Sequence, residues 1–297
     1  PPLLGETLAR GPAPFPLYGY LGGAVIVVAE VLLFSGSSTV GRWFTPIVWT
    51  GYVLLMDAVV ARLTGRSYLT TDRVEGVLVA LASIGCWWLF EWYNAPRFWR
   101  GGGDAVGLWW QYHTMQPDLF LRRVGYDWAF ATIFPGLFLT AAALRATAFK
   151  HARVGPWRPS SGVSNLAVAV GAVSVVLPLL VVSAWLVPLV WTGWALLLEP
   201  LNLKRGRPSW LADLAAGDAS RVLALLVGGL VCGVLWEFWN FWALTKWTYM
   251  VPYGPDVKLF EMPVLGYLGF PPFALECFAM YQWLRGRLGE EARAPVL

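Results

Sequence analysis

Three long apolar segments constrain the fold of this chain more than any other feature of its sequence. They cover residues 15–34, 163–185 and 221–240, and each matches the roughly 20 mostly apolar residues that a helix needs to cross a membrane. Charged residues make up 13% of the 297 residues, whereas soluble domains carry roughly 25%. Because so few charges leave little polar surface, the chain is expected to be an integral membrane protein.

Apolar patterning along the chain predicts an all-α, polytopic membrane protein with about eight transmembrane helices. Pro188 is expected to mark the start of the sixth span, because proline is tolerated in the first turn of a helix and disrupts its interior. The predicted spans cover residues 17–34, 43–62, 74–94, 128–146, 163–184, 187–200, 221–240 and 263–284.

The distribution of lysine and arginine predicts how these spans are oriented. An even number of spans puts both termini on one side, and 15 of the 22 lysines and arginines lie in segments on that side. Cytoplasmic loops carry an excess of these residues. Both termini are therefore predicted to be cytoplasmic, in what is expected to be a bacterial inner membrane.

An internal repeat is the strongest organisational signal in the sequence. The segment PIVWTGYVLLMD at 46–57 matches PLVWTGWALLLE at 188–199 in seven of twelve positions. Downstream, CWWLFEWYN at 86–94 matches CGVLWEFWN at 232–240. The two matches have the same order and nearly the same spacing, which predicts a tandem duplication.

The duplication divides the chain into a first four-helix repeat, 1–150, and a second four-helix repeat, 151–297. Each repeat has an even number of spans, so both enter the membrane in the same sense. Parallel repeats of this kind are related by an axis along the membrane normal. A shared site is therefore expected between the repeats, or once in each of them.

Acidic residues inside the predicted spans are the strongest candidates for function. A charge at the centre of a membrane helix costs roughly 2.5–3.5 kcal/mol on insertion scales. Glu91 and Asn94 lie three residues apart on one helix face, and Glu237 and Asn240 repeat that pair. Burial disfavours the charged form of a carboxyl group, which suits such a group to donate a proton. Alternatively, these acids only hydrogen-bond to Trp, Arg or backbone groups between helices.

Further acids lie in the spans, and three of them are candidate site residues. Asp57 and Glu199 end the first repeated motif near the inner ends of the second and sixth spans, and Glu276 lies in the eighth span outside the repeat pattern. Close to a basic inner surface, Asp57 and Glu199 can serve a structural role. The functional alternative is that they contact a substrate or, in a transporter, carry protons.

Two loops on the predicted outer side follow the acid–amide pairs, at 95–127 and 241–262, and both are rich in aromatic residues. Two interpretations of these residues and of the 19 tryptophans stay open. Trp favours the membrane–water interface, which indicates an interfacial belt. The second interpretation is an aromatic wall around an apolar ligand, in which Trp236, Trp247 and Tyr249 take part.

The residues that the sequence lacks exclude several classes of chemistry. The chain has two histidines, too few for a three-histidine zinc site or a histidine-box di-iron enzyme. It contains neither a G-x-x-x-x-G-K-[ST] loop nor a G-x-S-x-G elbow. No metal or cofactor is indicated, and the net charge of +4 does not point to nucleic acid. The expected partners are membrane lipids or an isoprenoid, and other membrane-protein subunits.

The stretch 236–281 combines three motifs: an acid directly after Trp at a helix end, an aromatic loop with Trp and Pro, and an apolar helix that opens with Pro-Phe-Ala. The residues that carry these motifs are Trp236, Glu237, Lys246, Trp247, Tyr249, Pro252, Phe260, Glu261, Pro263, Pro272, Phe273, Ala274, Glu276, Cys277 and Tyr281. Together they resemble the integral-membrane lycopene cyclases of the heterodimeric bacterial and fungal type.

The resemblance implies a membrane fold of two related units and an activity on carotenoids. The chain departs from the family's pattern at the Glu-Glu pair, which falls where this sequence has Leu265 and Gly266, and Glu261 precedes the proline instead of following it. If the family's chemistry depends on that pair, this chain uses other acids or does not cyclise carotenoids.

The leading hypothesis is a membrane-embedded protein that binds or acts on a lipid or a carotenoid-like isoprenoid; as an enzyme it would be cyclase- or isomerase-like. Protonation of a double bond needs a neutral acid in a dry pocket and aromatic faces that stabilise the cation. The alternatives are a non-catalytic accessory subunit of a larger membrane complex and a proton-coupled transporter. The predicted catalytic residues are Glu91, Glu237 and Glu276, and the predicted substrate-binding residues are Asn94, Asn240, Trp236, Trp247, Tyr249, Asp57 and Glu199.

Overall fold

The structure, a computed structural model, describes residues 14–95, 107–254 and 256–288. The start of the first predicted repeat, the end of the second, and residues 96–106 of the loop predicted at 95–127 lie outside these ranges. The helices are α1 (Leu17–Phe34), α2 (Ser38–Thr64), α3 (Arg73–Asn94), α4 (Leu119–Ala131), α5 (Ile133–Ala146), α6 (Ser161–Leu180), α7 (Val187–Lys204), α8 (Trp210–Ala215), α9 (Ser220–Trp242) and α10 (Phe270–Arg285). The strands are β1 (Trp110–His113), β2 (Lys246–Tyr249), β3 (Lys258–Leu259) and β4 (Met262–Pro263).

Among the described residues, eight helical segments are long and apolar enough to cross a membrane. This confirms the all-α, polytopic fold that the apolar patterning predicts. A turn of 3₁₀-helix at Ala184–Leu186 leads into α7, and another at Val264–Gly269 leads into α10. As expected, Pro188 lies in the first turn of α7.

The fourth span is longer than predicted, because α4 extends it toward the N-terminus by about two turns and meets α5 at Thr132. The charges of this extension concealed it from a search for apolar runs. Two local interactions stabilise it as a helix. Asp118 caps α4 by accepting a hydrogen bond from the backbone N–H of Leu121 at 2.8 Å, and Arg123 pairs with Asp127 one turn later at 2.8 Å.

Two helix pairs approach each other closely at glycines. α1 packs mainly on α2, and α6 packs mainly on α7. A Cβ atom on Gly51 would lie 2.8 Å from the backbone oxygen of Gly22, and one on Gly193 would lie 2.9 Å from the Cβ atom of Ser174. Gly51 and Gly193 hold the same place in the repeated motif, so both copies use a small residue to bring helices together, as is common in membranes.

The centre of the bundle is α5, whose residues 133–143 are all buried. Around it, aromatic contacts connect the first half of the chain to the second. Trp49 of α2 lies with its ring centroid 5.0 Å from that of Trp236 in α9, and Trp191 of α7 stacks on Phe90 of α3 at 5.3 Å. The four residues occupy equivalent positions of the two repeated motifs. The surface between the halves is therefore aromatic, while the division at residue 150 stays a prediction.

A two-stranded antiparallel ladder joins the two aromatic loops. β1 pairs with β2, so that Trp110 lies opposite Tyr249 and Tyr112 lies opposite Trp247. Neither this ladder nor the short helix α8 was predicted from the sequence. Four residues are too few to show the alternation of a strand, and the two partners are far apart in the chain, so local patterning carries no signal for the pairing.

Candidate functional site: an aromatic cavity between the two halves

A cavity of about 450 Å³ is lined by residues from both halves of the chain. Its volume lies within the roughly 300–1,000 Å³ that is typical of small-molecule sites. The tryptophans around the cavity have the position that an aromatic wall requires. The tryptophans that line the cavity are Trp43, Trp49, Trp87, Trp109, Trp110, Trp191, Trp236 and Trp247.

Glu237 is the only acid among the described residues that line this cavity. The basic residues of the lining are Arg42 and Arg122. Glu237 lies near the end of α9 and is completely buried. Its Oε1 atom accepts a hydrogen bond from the Tyr249 hydroxyl at 2.7 Å. Its Oε2 atom has no hydrogen-bond partner in the described structure. One carboxyl oxygen is therefore fixed, and the other is buried and unpaired in a residue that belongs to the lining of an apolar cavity.

The Tyr249 hydroxyl links Glu237 to β2. The indole Nε1 of Trp247 donates to this hydroxyl at 2.8 Å, and the hydroxyl donates to Glu237. Burial, and then the negative charge that Glu237 can carry, raise the pKa of Tyr249 well above its ordinary value. Tyr249 thus keeps its proton and acts only as a donor to the carboxyl group.

Asn240, one turn after Glu237, fixes the start of the same strand. Its amide nitrogen donates to the backbone oxygen of Trp247 at 2.8 Å, and its amide oxygen accepts from the backbone N–H of Trp247 at 2.9 Å. The side chain thus pairs with a peptide unit as a neighbouring strand would. Both of its polar groups are engaged, so Asn240 positions Trp247 and Tyr249 around Glu237.

Glu91 has equivalent surroundings but more donors. Its Oε1 atom accepts hydrogen bonds from Trp87 Nε1 at 3.0 Å, from Trp110 Nε1 at 3.1 Å and from the Tyr112 hydroxyl at 2.6 Å. Three of its neighbours line the cavity, but Glu91 itself does not. Burial, and then the charge of Glu91, raise the pKa of Tyr112 well above its ordinary value, so Tyr112 also stays a donor. Such an environment holds a carboxyl group in place.

Asn94 repeats the role of Asn240 in the first half. Its amide oxygen accepts from the backbone N–H groups of Trp109 at 2.8 Å and Trp110 at 3.2 Å, and its amide nitrogen donates to the Trp110 oxygen at 2.9 Å. Asn94 therefore anchors β1 as Asn240 anchors β2. Both amides of the predicted substrate-binding set have their polar groups engaged with the strands beside the cavity.

Asp57 and Glu199 do not line the cavity; each holds the loop that follows its own helix. Asp57 accepts from the Ser67 hydroxyl at 2.6 Å and from the Leu69 backbone N–H at 3.3 Å. Glu199 accepts from the Ser209 hydroxyl at 2.6 Å and from the Leu211 backbone N–H at 3.0 Å. The donors follow the acids by ten and twelve residues in both cases. The two acids therefore have the same loop-anchoring geometry in the two halves.

Glu276, the third predicted catalytic acid, lies outside the lining of the cavity, one turn after Phe273, which does line it. It is fully buried, and neither carboxyl oxygen has a hydrogen-bond partner among the described residues. Cys86 and Tyr93 of α3 are its polar neighbours. The structure thus brings Glu237, Trp236, Trp247 and Tyr249 together at the cavity and leaves Glu91, Glu276, Asp57 and Glu199 outside its wall.

Two polar residues of the cavity wall were missed by sequence reasoning. Thr45 and Trp49 lie one turn apart on α2, and the Thr45 hydroxyl and the Trp49 Nε1 atom are buried without a described hydrogen-bond partner. Trp49 and its equivalent Trp191 are identical in the repeated motif, and that identity could have indicated a shared site. Thr45 lies just before the motif and has Val187 as its equivalent, so no sequence signal marked it.

None of the protein-family models compared with the chain matches it, and no curated protein and no solved structure matches it either. The fold and the site therefore define the protein by class: a polytopic helical membrane protein with an aromatic cavity between its halves and a single acid among the described residues of that cavity's wall.

Proposed function

We propose that the cavity binds an apolar, unsaturated lipid of the isoprenoid type and that Glu237 transfers a proton to it. The observation that carries the proposal is that Glu237, whose Oε2 atom is buried and unpaired, belongs to the lining of an apolar cavity rich in tryptophan, tyrosine and phenylalanine. A ligand in this cavity meets a mainly apolar surface, in which Glu237 is the one acid among the described residues and Arg42 and Arg122 are the basic residues.

The aromatic wall suits a cationic intermediate as well as an apolar ligand. The face of an aromatic ring attracts positive charge, most strongly for tryptophan. Trp49, Trp191 and Trp236 belong to both the cavity wall and the contact between the halves. Because these rings are packed against their neighbours, they can stabilise a developing positive charge without first reorganising.

The proton transfer balances without a co-reactant. The carboxyl O–H bond of Glu237 breaks, and the π electron pair of a double bond forms a new C–H bond. In a cyclisation, the π electrons of a second double bond then form a carbon–carbon bond to the carbocation, which closes the ring and moves the positive charge; an isomerisation omits this step. The cation finally loses a proton from a neighbouring carbon to the Glu237 carboxylate, and the electrons of that C–H bond form the new double bond.

The departure from the lycopene cyclase pattern agrees with this assignment of roles. Glu261, the acid nearest to the position of the family's Glu-Glu pair, forms an ion pair with Lys246 at 2.6 Å. It does not line the cavity. Glu237, whose place after Trp236 the chain shares with that family, is the acid that the ligand would meet. We therefore assign to Glu237 the chemistry that the resemblance to the lycopene cyclases implies.

The test is expression of the chain in a bacterium that accumulates a linear carotenoid, followed by chromatography and absorption spectroscopy of the extracted pigments. The wild-type chain is expected to give a cyclised or isomerised product, and Glu237→Gln is expected to give none. Glu91→Gln is the matched control, because it makes the same chemical change in an equivalent environment outside the cavity wall.

Two results would count against the proposal. An unchanged pigment profile with wild-type protein that is folded and present in the membrane would remove the catalytic role. Binding of the carotenoid to the purified protein, without conversion, would then reassign the cavity to a carrier or accessory protein. Equal conversion by Glu237→Gln and the wild type would remove Glu237 as the proton donor.

A further inference from the structure

A second feature, independent of the cavity, lies where α7 and α10 end. Three arginine side chains surround the indole ring of Trp283. The guanidinium carbons of Arg205, Arg207 and Arg287 lie 4.5 Å, 4.8 Å and 4.9 Å from the ring centroid. Cation–π attraction holds each guanidinium group near the ring, so three positive charges gather within a small volume.

Within the described structure, no carboxylate forms an ion pair with any of these three arginines. The three positive charges therefore lie close together without a described negative partner. Burial, and then the positive charges of Arg205 and Arg287, lower the pKa of Arg207. Arg207 donates to the backbone oxygen of Trp283 at 3.1 Å, which occupies one of its donors. Arg205 and Arg287 are exposed and make no described side-chain hydrogen bond, so their donors can bind an anion.

Gly286 makes this arrangement possible. A Cβ atom at position 286 would lie 2.1 Å from Nε of Arg207 and 2.5 Å from its guanidinium carbon. Only a residue without a side chain leaves room for the guanidinium group of Arg207 above the end of α10. The cluster is therefore built into the junction of the two helices, unlike charges that merely follow one another along a solvated loop.

The position of the cluster indicates the source of the anion. Lys204 ends the candidate span Ala184–Lys204, and Arg285 ends the candidate span Val264–Arg285. The three arginines thus lie at the depth of the lipid headgroups. Leu284 and Leu288, beside them in the chain, are 43% and 61% exposed, which provides apolar surface for an acyl chain. Basic residues at this depth attract anionic lipids.

We propose that Arg205, Arg207 and Arg287 form a binding site for the phosphate group of an anionic phospholipid, with Trp283 as its floor. The guanidinium donors bind the phosphate oxygens, and the acyl chains lie along the exposed leucines at the end of α10. The lipid supplies the negative charge that the described part of the chain does not provide at this place.

The test is native mass spectrometry of the purified protein after incubation with equal amounts of phosphatidylglycerol and phosphatidylcholine. The wild-type protein is expected to retain phosphatidylglycerol in preference, by about tenfold, because each arginine near the membrane surface contributes to the attraction. The variant Arg205→Gln/Arg287→Gln is expected to lose this preference. Both side chains are exposed and make no described hydrogen bond, so the variant should fold; its elution volume and melting temperature check this.

Two controls make the result specific to the cluster. Arg153→Gln removes an arginine that is already paired with Asp218 at 3.4 Å, and it should leave the preference unchanged. Gly286→Ala keeps every charge but displaces the Arg207 guanidinium group, and it should reduce the preference. Equal retention of the two lipids by the wild type, an unaffected Arg205→Gln/Arg287→Gln variant, or displacement of the lipid by inorganic phosphate alone would each overturn the proposal.

Discussion

Glu91 and Glu237 occupy equivalent positions in the two halves of the chain, yet their carboxyl groups have different surroundings. Three donors converge on one oxygen of Glu91. One donor, the Tyr249 hydroxyl, reaches Glu237, whose second oxygen is unpaired. The two halves thus share an acid, a strand and an amide anchor but differ in the donors around the acid. On the proposed function, this difference separates a structural acid from a reactive one.

Two differences in sequence and geometry explain the contrast. Trp87, which donates to Glu91, has Gly233 as its equivalent beside Glu237, and the ring of Phe270 occupies the space where a side chain at 233 would begin. In the second half, the indole of Trp247 donates to the Tyr249 hydroxyl at 2.8 Å. The absence of one indole and the different direction of the other leave the Tyr249 hydroxyl as the donor at 2.7 Å from Glu237.

The largest expected effect concerns conversion of the ligand. General acid catalysis by a positioned side chain contributes roughly 10²–10⁴-fold, so Glu237→Gln should slow conversion by at least about 100-fold. Glu91→Gln should stay within about tenfold of the wild type, because its oxygen can still accept from the three donors. Initial rates with a solubilised linear carotenoid measure both. Equal losses for the two variants would show that the two acids act as a pair.

The second-largest expected effect is on stability, where the substitution of Glu91 should cost more than that of Glu237. Glu91→Ala leaves three donors without an acceptor, whereas Glu237→Ala leaves one. An unsatisfied buried donor costs about 1–3 kcal/mol. Glu91→Ala is therefore expected to lower the free energy of unfolding by about 2 kcal/mol more than Glu237→Ala does. Denaturant unfolding in detergent, followed by Trp fluorescence, compares them. A larger loss for Glu237→Ala would contradict the structural role of Glu91.

Trp87→Phe makes the first site resemble the second. The variant removes one of the three donors and keeps most of the aromatic volume. It should cost about 1 kcal/mol of stability, the value of one hydrogen bond. The matched control is Trp157→Phe at an exposed position between α5 and α6, which should leave the free energy of unfolding unchanged. An unchanged free energy of unfolding in Trp87→Phe would contradict the role of Trp87 as a donor to Glu91.

The smallest effect is alkaline destabilisation, which should be alike at both sites. Burial raises the pKa of Tyr112 and of Tyr249 above that of an unfolded tyrosine, which is about 10. Above that pH the unfolded chain loses protons that the folded chain retains, so stability falls as pH rises. Tyr112→Phe and Tyr249→Phe should each reduce this fall. Melting temperatures between about pH 9 and pH 11 measure it; no change in either variant would contradict the shared role as donors.

Much of the fold could be predicted from the sequence, because a membrane span requires a long apolar segment. The acid–amide pairs could also be predicted, because the repeated motifs are most alike around Glu91 and Glu237. The sequence could not predict which acid is free. That difference depends on where the indoles of Trp110 and Trp247 point, and on the β1–β2 ladder, which joins residues distant in the chain.

The roles of the other acids were likewise hidden from local patterning. Asp57 and Glu199 resembled functional acids because they are repeated inside apolar spans. Their partners are hydroxyl and backbone groups in the following loops, and nothing in the composition of those loops marks them as ligands of a carboxylate. Thr45 was missed for the opposite reason, since it is unremarkable in sequence and matters only because its hydroxyl lies unpaired in the cavity wall.

The most direct test of the asymmetry between the two acids is an experimental structure of the protein with a linear carotenoid bound. We expect elongated density between Trp49 and Trp191, with one double bond of the ligand in contact with Oε2 of Glu237 and no ligand atom in contact with Glu91. Density that runs past Glu91, or a cavity that stays empty while the carotenoid binds to the lipid-facing surface, would contradict this account.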